Sequence, residues 1–171
     1  VETAAATSSD TLYNGLNAAD VSVTNQDNDT ACITVNPVSV LVTTEAGGQA
    51  TFTIVLDTEP TADVIIGLSS SDTGEGTVSP TSVTFTSGNW DSPQTVTVTG
   101  VDDDVDDGDV AYTIVTAAAA STDAGYHNLN AVDVSVTNTD NDAAGITVNP
   151  TSGLVTSESG GAATFTIVLN T

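Results

Sequence analysis

A self-match constrains this chain more than any other feature. Shifted by 113 residues, positions 1–58 fall on 114–171 with 40 of 58 identical and no gap. The identical stretches include 20–25 against 133–138, 27–29 against 140–142, 33–37 against 146–150 and 51–56 against 164–169. The folding unit must therefore fit a period of 113 residues, which is domain-sized, and the chain reads as a tandem array. Residues 1–31 are expected to be the C-terminal strands of a preceding repeat, 32–143 a complete domain, and 144–171 the N-terminal strands of a following repeat. The two fragments lack counterparts of 59–113 and cannot complete one another, so the chain is expected to be a window onto a longer polypeptide.

Within 32–143 the apolar residues alternate with period two, the mark of half-buried strands. Phe52, Ile54 and Leu56 form one such row, followed by Val64, Ile66 and Leu68, Val83 and Phe85, then Val96 and Val98. Val110, Tyr112 and Ile114, and finally Val134 and Val136, continue it. A first strand near 33–43 makes seven. The Ala117–Ala120 run is the one helical candidate, and four alanines are too few to nucleate a helix alone. Seven short strands punctuated by Gly, Pro, Asn and Asp predict an all-β, immunoglobulin-like antiparallel β-sandwich.

Charge narrows the function. The chain has no Lys or Arg and 23 Asp plus Glu, for a formal net charge of -23. It cannot neutralise phosphates, which excludes nucleic acid and attraction to anionic membrane surfaces. No stretch reads as a membrane span or a secretion signal. A single cysteine, Cys32, rules out an internal disulfide framework. The acidic balance points to an extracellular or cell-surface location, where something other than disulfides must stiffen the chain.

Strand parity places the carboxylates. If successive strands run up and down, the loops after strands one, three and five share an end with the exit from strand seven. Those loops carry Glu45; Asp72 and Glu75; and Asp102, Asp103, Asp104, Asp106, Asp107 and Asp109. Asp140 and Asp142 follow strand seven. The opposite loops, near Glu59 and Asp63, 89–93 and 121–130, are less acidic. Carboxylates gathered this closely must either raise their pKa values or bind a cation. Many hard oxygen donors suit Ca²⁺, which takes roughly six to eight; Mg²⁺ keeps more water, and Zn²⁺ would want His or Cys. A solvated acidic loop is the plainer reading, but convergence of four acidic segments on one pole favours Ca²⁺. Asp27, Asp29 and Glu158 belong to partial sites whose other loops are missing, and are expected to bind poorly. The site nearest Asp140 is expected to be the complete one.

Several segments together resemble the Calx-β domain. They are Glu45 with Gly47 and Gly48 before the 50–56 strand, Asn89-Trp90 before Pro93 and the 94–98 strand, the Asp102-Asp103 loop, and the closing run 134–142. The resemblance spans 32–143 and both fragments. It implies a Ca²⁺-binding sandwich of the kind used in exchanger regulatory regions, integrin tails and large bacterial surface proteins. Its ligands would map onto Glu45, Asp72, Asp102, Asp103, Asp140 and Asp142. Where the family often has Glu just after the Asp pair, this chain has Asp106, Asp107 and Asp109 around Gly108.

The remaining chemical residues read as structural. His127 stands where the other copy has Asn14, and Cys32 where it has Gly145, so neither is a conserved feature of both copies. The sequon Asn28-Asp29-Thr30 lies inside the acidic segment and its counterpart at 141–143 does not match. Trp90 is expected to pack over a loop end. Thr is the ordinary outward residue of a strand, which accounts for the Thr95, Thr97, Thr99 ladder. The chain is thus expected to be a non-enzymatic extender repeat of a bacterial surface adhesin or extracellular fibre, rigidified by calcium at its junctions. Its partners would be neighbouring repeats, and like chains in a fibre. The alternative is a carbohydrate- or protein-binding module using the less acidic loops, with Trp90, Tyr126 and His127 as candidates.

Overall fold

A computed structural model describes residues 1–171. Nine strands build a sandwich: β1 (Ile33–Asn36), β2 (Leu41–Thr44), β3 (Gln49–Leu56), β4 (Val64–Ser70), β5 (Gly76–Ser79), β6 (Ser82–Phe85), β7 (Gln94–Gly100), β8 (Val110–Thr116) and β9 (Val134–Thr139). One sheet has the order β1-β3-β7-β5 and the other β2-β9-β8-β4-β6. The alternating residues Phe52, Ile54, Val96 and Val98 of the first sheet meet Val64, Ile66, Ile114 and Val134 of the second in one core. Each fully buried branched or aromatic side chain there stabilises the fold by about 1.5–3 kcal/mol. The protein is an all-β, immunoglobulin-like sandwich; it has no helix, so none is long and apolar enough to cross a membrane.

The count of seven strands is corrected to nine. The expected first strand divides into β1, which pairs antiparallel with β3, and β2, which pairs parallel with β9. The chain keeps its direction while crossing from one sheet to the other, so this single pair departs from the antiparallel expectation. Val40 turns the crossing with φ 66°. That left-handed conformation strains a β-branched residue and suits glycine, and the position one period later is Gly153 with φ 78°. The second addition, β5, carries one apolar residue, Val78, too few for a period-two pattern to register.

The flanks keep local geometry without a core. Strands β10 (Ile146–Asn149) and β11 (Thr166–Leu169) pair in the register of β1 with β3, moved by 113 at each of four positions. Residues 1–31 form no strand, yet the bond from Ala6 N to Leu16 O matches that from Ala119 N to Leu129 O. The turn bonds from Tyr13 N and Asn14 N to Asp10 O likewise match those from Tyr126 N and His127 N to Asp123 O. Burial is what differs. Tyr126 is 1% exposed and Tyr13 61%; Ile33 is 8% exposed and Ile146 68%.

Candidate metal centre

The acidic pole is assembled by strand ends. Glu45 follows β2, Glu75 precedes β5, the 102–109 loop links β7 to β8, and Asp140 and Asp142 follow β9. Two groups result, each offering three carboxylate oxygens within 4.8 Å of one another: Glu45, Asp140 and Asp142; and Glu75, Asp103 and Asp107. The first joins residues far apart in the sequence, because the parallel β2–β9 pair brings Thr44 beside Thr139.

Hydrogen bonds fix this geometry. Asn141 donates from its backbone N to Glu45 Oε2 at 2.9 Å, and from Nδ2 to Glu45 Oε2 at 3.2 Å and Asp102 Oδ1 at 3.0 Å. Asp140 accepts from Asp142 N at 2.7 Å and Gly108 N at 2.8 Å, which hold its carboxyl below the usual range. Asp109 accepts from Asp140 N, and Asp106 accepts from Ala144 N at 2.8 Å, tying the acidic loop to the connector that leads to β10. Asp72 stands outside both groups; its Oδ1 accepts from Gly74 N and closes a tight turn. Asp104 is exposed and also lies outside them.

Glu75 was not among the ligands expected from the sequence, although its loop was placed at this pole. The structure buries it to 8% exposure beside Asp103 and Asp107. The missed signal is Asn138: in β9 it continues the inward row of Val134 and Val136, so a polar residue faces the interior. A buried amide needs partners.

The donor set fits a hard divalent cation. The donors are all oxygen, and Asp142 Oδ2 is a buried carboxylate oxygen without a hydrogen-bond partner, the costly condition that a cation relieves. The Asn141 amide pulls the Glu45 pKa down, but burial together with Asp140, Asp103 and Asp142 raises it above its ordinary 4.5. Burial, then Asp140, Asp104, Asp102 and Asp103, raises Asp142 above 3.8.

These directions give a pH dependence. A carboxyl whose pKa is raised by folding contributes stability below its unfolded value and loses it as pH rises through the folded one. Asp140, and Asp123, held down by the Thr61 backbone and hydroxyl, act oppositely, and only as pH falls below about 3.8. Without divalent cations, stability is therefore expected to fall as pH rises above about 4.5. Melting curves in chelator across that range check this; a flat or rising trend would contradict it.

The opposite pole is different in kind. Asp27 and Asp29 line a cleft of about 360 Å³ with Glu59, Thr61, Asp123 and Tyr126. Asp123 is already satisfied by Thr61 and Gly125, and neither Asp27 nor Asp29 joins a three-carboxylate group. Glu158 is exposed in the turn between β10 and β11, also outside any group. Tyr126 is sealed in the core, with its hydroxyl bonded to Thr58, which removes it as a ligand-stacking ring. Trp90 packs half-buried against the core, and His127 holds Ser121 O through Nδ1.

The chain matches no family model and no curated protein. Among solved structures it resembles the apo-form Calx CBD1 domain, with TM-score 0.51 and 15% identity, covering 67% of this chain and 100% of that one. SSP-19, an MSP-domain protein like family member in Caenorhabditis elegans, gives TM-score 0.45 and 16% identity over 63% of this chain and 99% of that one. The periplasmic chaperone SfaE gives 0.46 and 7% over 66% and 60%. The likeness to the Calx domain is one of fold: the sandwich is Calx-β-like.

Proposed function

We propose that this chain is a non-catalytic extender segment of a bacterial surface adhesin or extracellular fibre, with 32–143 as one repeat of an array whose junctions are stiffened by Ca²⁺. The observation that carries this reading is the position of the carboxylates. Asp140 and Asp142 lie in the connector itself, beside Glu45 of the sandwich, and Asp106 holds the connector at Ala144. An ion held by Glu45, Asp140 and Asp142, with Glu75, Asp103 and Asp107 alongside, would fix the direction in which the chain leaves the domain. The recurrence of hydrogen bonds at 113 residues supports repeats of one shape.

Stiffness is measurable. A protein spanning two or more complete repeats is expected to show a longer maximum dimension in small-angle scattering with Ca²⁺ than with chelator. An unchanged maximum dimension would overturn the reading.

A further inference from the structure

We propose that Asn138 is the positioning residue that holds Glu75 and the start of the acidic loop in register for cation binding, with Thr43 and Tyr112 extending that support into the core. The proposal rests on the reading that this pole takes a divalent cation.

Asn138 is 1% exposed, and both its amide protons and its amide oxygen are engaged by neighbours. Its Nδ2 donates to Val101 O at 3.0 Å and to Glu75 Oε2 at 3.4 Å. Its Oδ1 accepts from the Thr43 hydroxyl at 3.0 Å, and Thr43 lies 3.1 Å from the Tyr112 hydroxyl. Proton bookkeeping sets the direction. A carboxylate can only accept, so the amide NH₂ must face Glu75 and the amide oxygen must face Thr43. Thr43 uses its one proton on Asn138, so Tyr112 donates to Thr43. The chain Tyr112, Thr43, Asn138, Glu75 thus donates in one direction and ends on the carboxylate, an arrangement in which each bond polarises the next.

The same amide acts on two elements. Val101 N donates to Glu75 O at 3.0 Å while Val101 O accepts from Asn138. Val101 immediately precedes Asp102 and Asp103, so one side chain in β9 fixes both the Glu75 carboxylate and the root of the loop that supplies Asp103 and Asp107. Losing such a partner costs metal sites roughly 10–100-fold in affinity. Asn25, one period earlier, is exposed and has no such surroundings.

The test is calcium titration calorimetry on the 171-residue protein and on Asn138→Leu, which keeps the bulk and removes the donors. Urea midpoints are measured in chelator alongside. The expected result is at least about a tenfold loss of Ca²⁺ affinity, with a proportionally smaller change in the chelated midpoint. Near-UV circular dichroism adds a second readout: Ca²⁺ should change the tyrosine band in the parent, and this change should be lost in Tyr112→Phe and Asn138→Leu. If the parent takes up no Ca²⁺, the calcium reading fails. If the parent binds and Asn138→Leu binds equally well, the positioning role is overturned while the calcium reading stands. Should Asn138→Leu not fold in chelator, Thr43→Val decides, since it cuts the next link: weaker Ca²⁺ binding supports the role, and parent-like binding overturns it.

Discussion

Gly100→Ala is expected to lower the domain's stability by about 3 kcal/mol or more, at the upper end of what overpacking a well-filled site costs. Gly100 ends β7 where the two sheets approach each other beneath the acidic pole. A Cβ there would run into the backbone carbonyl of Thr44 and into Asn138 Oδ1. The first obstacle is main chain in a paired strand, which cannot rotate away, and the second is the amide that holds Glu75. Relief would require separating β2 from β7 or displacing Asn138, so the fold and the site would suffer together. For a domain of ordinary stability, about 5–15 kcal/mol in all, this is a large fraction. Gly88→Ala is the control, because its added Cβ meets only Thr86 Oγ1 at 3.7 Å. Urea midpoints should separate the two variants clearly. Equal midpoints would show that the sheets can part at this point.

Ca²⁺ is expected to stabilise the folded chain by about 2.7 kcal/mol at a hundredfold excess over Kd, raising the melting temperature by roughly 10 °C for a domain of this size. Charge enters through Kd: 23 carboxylates have no Lys or Arg to offset them, and those of the acidic pole are crowded into one place, which favours tight binding of a cation. Asp142→Asn supplies the sharper form of this prediction. Asp142 is pushed up by burial and by its acidic neighbours, so removing its charge should stabilise the protein in chelator. In Ca²⁺ the same change should destabilise it, because the carboxylate oxygen that lacks a protein partner is then the one lost to the ion. A solvated acidic loop would show neither the calcium shift nor the change of sign.

The charge placement was readable from the chain because loop ends follow strand parity, and strands follow the two-residue period. Glu45, Asp140 and Asp142 could be assigned to one end that way. Parity could not rank Glu75 against Asp72, since both lie in the same loop, and the family resemblance pointed to Asp72. Their difference arises from Asn138, which captures Glu75, and from Gly74, which captures Asp72. Periodicity was also blind to the break in the first strand. Val40 looks like an ordinary strand residue, and only its φ of 66° and the parallel pairing of β2 show that the chain changes sheets there.

The flanking segments separate what is local from what is not. Sequence alone determines the turns: residues 10–16 form the same hydrogen bonds as 123–129 with no sandwich around them, and β10 with β11 repeats the register of β1 with β3. The turn bonds span three or four residues and the β10–β11 pairs at most 23, so less loop-closure entropy opposes them than opposes the contacts across the sandwich. Tertiary structure alone decided burial and convergence. Tyr13 and Tyr126 share a turn, but only Tyr126 has a core to enter. Asp27 and Asp140 share a motif, but only Asp140 has Glu45 beside it. Those outcomes depend on contacts 68 residues apart for Tyr126 with Thr58 and 96 apart for Asn141 with Glu45, whose loop closure only a completed pair of packed sheets can offset.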